Sequence, residues 1–161
     1  MKNKTRLFSS VFFISFALLF LLLSLSHTSE SEQTAMKKEV VTLPGVKLSS
    51  LPFSPAVKFG SLLFLSGTIG MDPKTNALVS PNVGDQTKQC LEILGQVLHQ
   101  AGMDFEDAVR CTVYLTDLND YIEMNKAYAA FFPKDPPSRA CVEVAGLVRG
   151  AKVEISMIAA K

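Results

Sequence analysis

Two stretches near the C-terminus, residues 137–144 and 152–157, constrain the fold most. Both alternate polar and apolar residues with the period of two that a half-buried strand requires. The first sets Arg139, Cys141 and Glu143 on one side and Ala140, Val142 and Val144 on the other, and the second sets Lys152, Glu154 and Ser156 opposite Val153, Ile155 and Met157. The linker between them carries Gly146 and Gly150, which suit a tight reversal, so the sequence predicts an antiparallel hairpin. A turn centred on Leu147 and Val148 pairs Cys141 with Glu154 and Glu143 with Lys152, with Arg139 within about two pairs of Glu154. On that register a guanidinium, a thiol and a carboxylate share one sheet face and can form a small-anion site. The plainer reading of the same pattern is two cross-strand ion pairs, Arg139–Glu154 and Glu143–Lys152, worth roughly 0.2–1 kcal/mol each.

A chain of 161 residues, 48% hydrophobic, is enough for one domain with its own core. Its formal net charge is +1 and its Lys and Arg residues are scattered, so counterion release would add little affinity for a polyanion, and no nucleic-acid partner is expected. Much of the apolar content stands at the front. Lys2, Lys4 and Arg6 precede an uncharged run rich in Phe and Leu to Ser26, with Ser24 and Ser26 at small-x-small spacing and a polar run after them. That is the layout of a secretory signal, and its unbroken hydrophobicity argues against an amphipathic, Arg-rich transit peptide. Residues 1–26 are therefore expected to be a signal peptide or signal anchor, 27–36 a polar spacer and 37–161 the folded domain. Cleavage sends the domain into the secretory pathway or outside the cell; retention anchors it, since about twenty apolar residues just span a bilayer; a start at Met36 leaves it in the cytosol. Cys90, Cys111 and Cys141 are an odd count without a CxxC pair or metal-ligand spacing, so no disulfide framework and no metal site is expected. Cys90 and Cys111 read as packing thiols.

In chain order, residues 39–42 read as a short strand, followed by a Pro- and Ser-rich loop through Pro55. Residues 56–59 and 61–66 flank Gly60 as a paired or bulged unit. The second of these is apolar on both faces, which implies that the side away from the helices is covered as well, most simply by another subunit. Residues 66–70 are expected to leave the sheet, with glycines that let a ligand approach the backbone, and residues 72–76 form a turn. A helix is predicted from Gly84 or Asp85 to Gln100, with Cys90, Leu91, Leu94, Val97, Leu98 and Ala101 as its apolar stripe and Gly102 as its stop. His99 falls near its C-terminus as a solvated residue favourable to the helix dipole. Residues 109–115 alternate as a strand. A second helix starts at Asn119 or Asp120, with Asp120 and Glu123 at capping-box spacing, buries Ile122, Tyr128, Phe131 and Phe132, and ends at Pro133. The order β-ββ-α-β-α-ββ is that of an α+β protein: one mostly antiparallel sheet with two helices on one face. The apolar sides of the C-terminal hairpin would meet the helices. Its polar sides would face the surface that the doubly apolar strand marks as a subunit interface.

Several motifs together resemble the Rid family, the reactive intermediate imine deaminases, over nearly all of residues 37–160. They are Ser66-Gly67-x-Ile69, Asp72-Pro73-x-Thr75, Asp117-Leu118-Asn119-Asp120, Asn125-x-x-Tyr128-x-x-Phe131-Phe132, Pro137-x-Arg139-x-x-Val142, and Val153-Glu154-Ile155 followed by Ile158-Ala159. The resemblance implies a chorismate-mutase-like fold and a homotrimer whose sheets face a central axis, with three clefts between subunits. It also implies cofactor-free hydrolysis of short-lived 2-imino acids and their enamine tautomers, such as 2-aminoacrylate, to 2-keto acids and ammonia. By the same resemblance Arg139 grips the substrate carboxylate and Glu154 positions and activates water. Cys141, Gly67, Ser66, Phe53 and Asn125 are carried over as pocket residues. The roles are chemically coherent, because a planar guanidinium binds a carboxylate through two parallel hydrogen bonds and a carboxylate can shuttle the protons of imine hydrolysis. Cys141 has no base beside it in its motif and is expected to line the pocket rather than to attack.

Four positions depart from the family pattern. Phe53 stands where a tyrosine is usual, Thr68 replaces a glutamine, Val148 a proline, and Ser156 a second acid. A second function therefore competes with deamination, that of a catalytically weak relative binding small carboxylates or a protein partner. The ribonuclease activity ascribed to some relatives finds no basic groove and no paired histidines here. A membrane partner is expected only if the N-terminal segment is retained.

Overall fold

In the computed structural model the described residues are 37–45 and 52–161. The expected leader and spacer lie outside them, as do residues 46–51 of the Pro- and Ser-rich loop. Among the described residues no helix is long and apolar enough to cross a membrane.

The described residues form a six-stranded sheet with two helices on one face. The strands are β1 (Lys38–Val41), β2 (Ala56–Phe59), β3 (Leu62–Ile69), β6 (Ala108–Leu115), β7 (Ser138–Glu143) and β8 (Val153–Ala160), in the spatial order β1-β2-β3-β8-β6-β7. A small hairpin of β4 (Met71–Asp72) and β5 (Ala77–Leu78) encloses the predicted turn. The helices are α1 (Val83–Gln100) and α2 (Tyr121–Ala129). α1 starts where Asn82 accepts a hydrogen bond from the Asp85 N–H, and it stops at Gly102, whose φ of 72° is the left-handed geometry that glycine adopts most readily. Its predicted stripe is buried from Cys90 to Leu98. It packs on Leu63 and Leu65 of β3, Cys111, Val113 and Leu115 of β6, and Val153, Ile155, Met157 and Ala159 of β8 in one core.

Along β2, β3 and the C-terminal end of β8 the outward sheet face is also apolar, as the doubly apolar strand required, whereas Arg110 and Thr112 of β6 and Ser156 of β8 make another part of it polar. Phe64 and Leu62 of β3 stand opposite Ile158 and Ala160 of β8, and Val57 and Phe59 of β2 continue the row. Phe64 is 43% exposed and Val142 of β7 45%, so among the described residues nothing covers this face.

The predicted C-terminal hairpin does not form. β7 pairs with β6, in parallel, and β8 inserts between β3 and β6, antiparallel to both. The reason lies in α2: a strand–helix–strand unit closes naturally as a crossover between parallel neighbours, and β6-α2-β7 is such a unit. β8, with an unbroken row of buried apolar residues, takes the central place. The linker then steps over the end of β6, where Val144 donates to the Leu115 carbonyl and Thr116 to that of Lys152.

Three smaller expectations also change. Residues 66–69 stay in the sheet, and the register slips between Leu65 and Thr68, so the glycine there serves a β-bulge. The Asp120–Glu123 capping box is absent: Asp117 accepts from Asn119 N–H and opens a 3-10 turn at Leu118–Asp120, the Asp120 carboxylate pairs with Lys152 at 3.0 Å, and Glu123 accepts from Asn82. Ile122 is 69% exposed, while Met124 is fully buried beside Tyr128. Met124→Ala is accordingly expected to lower stability by about 2–5 kcal/mol in denaturant unfolding. Ile122→Ala should change it by no more than about 0.5 kcal/mol, and a larger cost at Ile122 than at Met124 would contradict this packing.

Candidate functional site

Because β7 runs parallel to β6 with Arg139 opposite Cys111 and Cys141 opposite Val113, the polar row of β7 turns toward the helices. Arg139 meets α2 there. Tyr121, Asn125 and Tyr128 fall at i, i+4 and i+7 on one face of that helix, and all three touch the guanidinium. Its Nη2 donates to Asn125 Oδ1 at 2.6 Å and to the Tyr121 hydroxyl at 3.3 Å. Its central carbon lies 4.6 Å from the centre of the Tyr128 ring and 5.8 Å from that of Tyr121, within cation–π range. Among the described residues no carboxylate pairs with Arg139. The guanidinium is thus oriented by neutral groups and keeps its charge for an incoming anion.

Arg139 and Asn125 form the polar end of an open cleft of about 440 Å³, whose other walls are Tyr128, Ala129, Phe132, Pro136 and Pro137. Burial pushes the Tyr128 phenol well above its ordinary pKa, with the neighbouring Cys111 thiol adding to the shift, and among the described residues its hydroxyl has no hydrogen-bond partner. Cys141 is half-buried on the same side. Burial raises its pKa and the Arg139 charge partly offsets the rise, so at neutral pH it is a thiol rather than a nucleophilic thiolate. Cys90 and Cys111 are buried packing thiols as expected, both raised mainly by burial; Cys90 donates to the Thr68 carbonyl and also feels the charge of Glu154.

Glu154 lies elsewhere. It pairs with Tyr114 of β6 and Ile69 of β3, on the face opposite Val153 and Ile155 and therefore opposite Arg139. The expectation that Arg139, Cys141 and Glu154 share one face is overturned, because the parallel register of β7 reverses the face of its polar row. The bulge gives Glu154 its seat. A Cβ at Gly67 would stand 2.8 Å from the Glu154 carboxyl carbon and 3.2 Å from its Cγ, so a larger residue there would push this side chain out of its present position. Next to it, Ser66 donates its hydroxyl to the Ser54 carbonyl at 2.7 Å and its N–H to that of Pro55 at 2.9 Å. These bonds tie the loop carrying Phe53, 55% exposed, to β3 at the bulge.

The candidate residues therefore form two groups. Arg139, Asn125 and Cys141 gather on the helix side of the edge strand, while Glu154, Gly67, Ser66 and the Phe53 loop gather around the bulge. The alternative ion pairs are absent too: Lys152 pairs with Asp120, and Glu143 accepts from the Leu118 N–H at 3.0 Å. Neither Tyr121 nor a guanidinium contact for Tyr128 was anticipated from the sequence, where Tyr128 is a buried position of the helix and part of the Asn125-x-x-Tyr128 motif. The signal for both was their helical spacing from Asn125.

Comparison with known proteins agrees with this architecture. Residues 46–161 match the family described as Endoribonuclease L-PSP. The chain is 40% identical over 126 residues to Reactive Intermediate Deaminase A, chloroplastic, of Arabidopsis thaliana, covering 78% of this chain and 67% of that one. It is 41% identical over 108 residues to the human 2-iminobutanoate/2-iminopropanoate deaminase, covering 67% and 79%. Among solved structures, Escherichia coli TdcF with bound serine superposes with a TM-score of 0.70 at 33% identity over 76% of this chain and 98% of that one. RidA from the Antarctic bacterium Psychrobacter gives 0.71 at 32% identity over 76% and 99%. The chain belongs to the endoribonuclease L-PSP family, and its relatives in that family include proteins named as reactive-intermediate and 2-imino-acid deaminases.

The proximity of Arg139 to Cys141 has a direct readout. Alkylation of Cys141 by iodoacetamide is expected to show a pH midpoint above that of an ordinary thiol, about 8.5. Arg139→Gln, which removes the cation that lowers the thiol pKa, should move that midpoint higher; an unchanged midpoint would separate the two groups.

Proposed function

We propose that this chain is a deaminase that hydrolyses reactive 2-imino acids and their enamine tautomers to 2-keto acids and ammonia, acting as a homotrimer with its sites between subunits. The observation that carries the proposal is the division of the site. Arg139 is oriented for an anion yet has no carboxylate partner among the described residues, and Glu154 is seated on the opposite sheet face. Packing the apolar outward face against other copies would cover Phe64 and its neighbours and bring Glu154 of one subunit toward Arg139 of the next. The relatives named as deaminases, and one solved with serine bound, support a small amino-acid-like substrate.

In this reading Arg139 holds the substrate carboxylate through two parallel N–H···O bonds, while Asn125 and Tyr128 fix the plane of the guanidinium. Glu154 takes a proton from water as the oxygen adds to the imine carbon. Returning that proton to the nitrogen gives a carbinolamine; its hydroxyl proton then passes through Glu154 to the nitrogen as the C–O bond becomes C=O and the C–N bond breaks, releasing ammonia and the 2-keto acid. The chain needs no further group for this sequence of proton transfers. Cys141, kept neutral by burial, lines the pocket. The signal-like N-terminal segment, if cleaved, would carry this activity into the secretory pathway or outside the cell.

A coupled assay tests the proposal, with an amino-acid lyase or oxidase generating 2-aminoacrylate or another 2-imino acid and keto-acid release followed with and without the protein. The expected result is acceleration by the wild type, a loss of about tenfold or more in kcat/KM in Arg139→Ala, and a fall of about 10²–10⁴ in kcat in Glu154→Gln. No acceleration, or acceleration indifferent to both substitutions, would overturn it.

A further inference from the structure

The cleft beside Arg139 is much larger than a carboxylate site needs, and its chemistry is divided. At one end are the Arg139 guanidinium and the Asn125 amide; the remaining walls are aromatic rings, a methyl group and two prolines. We infer that this cleft is a side-chain subsite, and that the chain prefers 2-imino acids with a long apolar side chain, the size of those formed from leucine, methionine or phenylalanine, over three-carbon 2-aminoacrylate. The inference rests on the deaminase reading above and specifies its substrate class.

Three observations support it. First, the wall is preformed: Phe132 is held edge-on by Phe105 at 5.3 Å between ring centres and packs on Tyr128 at 4.7 Å, so an apolar group meets a braced surface. Second, Pro136 and Pro137 lack backbone N–H groups, and the Tyr128 hydroxyl is buried beneath the ring. A polar or charged side chain would lose water against those walls and find no donor on them, whereas an apolar one gains from burial. Third, the guanidinium is held in orientation, because Asn125 and Tyr121 accept from Nη2 while Tyr128 lies against the plane. A carboxylate gripped by it has its C2 substituents directed by that plane. The imine must face the water-activating Glu154 across the subunit boundary, which leaves the cleft to the side chain. Its volume, about 440 Å³, leaves room for a side chain well beyond that of a three-carbon acid.

Ala129 is the position to change. It is the last residue of α2, it lines the cleft with a single methyl group, and it is exposed, so a larger residue fits the fold while narrowing the space. The experiment measures kcat/KM for 2-aminoacrylate and for the imines of leucine and phenylalanine, each normalised to its uncatalysed hydrolysis, in the wild type and in Ala129→Phe. The wild type should favour the longer imines by about tenfold or more, and Ala129→Phe should lower that ratio by about tenfold. A wild type with no preference, or a ratio unchanged in Ala129→Phe, overturns the inference and leaves deamination standing. Titration with the stable products, pyruvate against 4-methyl-2-oxopentanoate, covers a wild type that deaminates nothing. There, tighter binding of the longer acid, lost in Ala129→Phe, supports the subsite while the deaminase reading falls; equal binding of the two acids overturns both.

Discussion

The parallel pairing of β7 with β6 decides where the chemistry goes. Had β7 turned back on β8, Arg139 would point away from the helices and stand beside Glu154 as an ordinary cross-strand ion pair. As an edge strand fed by α2, β7 instead delivers Arg139 to Tyr121, Asn125 and Tyr128, three neutral side chains on one helix face. Neutral partners orient a guanidinium without cancelling its charge, whereas a carboxylate partner would fill the position a substrate needs. Lys152 and Glu143, which could have competed, are occupied by Asp120 and the Leu118 N–H.

The second half of the site depends on a local irregularity. The register slip between Leu65 and Thr68 places Gly67 under the Glu154 carboxyl, and the adjacent Ser66 bonds anchor the Phe53 loop at the same point. With a larger residue at position 67 the Glu154 side chain would have to move from its present position. The bulge, rather than a longer loop, is what seats the Glu154 carboxylate on the outward face.

Much of this was legible before any coordinates. Periodicity located β6 and β8, Gly102 and the apolar stripe bounded α1, and the two apolar faces of residues 62–65 announced an uncovered sheet surface. Motif resemblance singled out Arg139, Glu154, Gly67 and Asn125. What failed was pairing, and the failure has a physical cause: alternation says which residues share a face of their own strand but not which strand lies alongside. Two glycines in residues 145–151 look like a hairpin turn, although the linker in fact crosses the end of β6, and the βαβ order that would have corrected the pairing was present in the sequence. The exposure of Ile122 and the role of Tyr121 were likewise out of reach of a stripe drawn on α2 alone, because Arg139 arrives from another strand to define which face of that helix matters.

The central claim is that neither chain alone holds a complete site. Chains carrying Arg139→Ala and chains carrying Glu154→Gln, each with its own affinity tag, can be coexpressed and the mixed assemblies isolated by sequential capture on both tags. Imine hydrolysis by these mixed assemblies is the most direct measurement. A composite site predicts activity well above that of either variant by itself, since some clefts would combine an intact Arg139 from one chain with an intact Glu154 from its neighbour. Mixed assemblies as inactive as the parents would place both residues in one subunit's site and contradict the account.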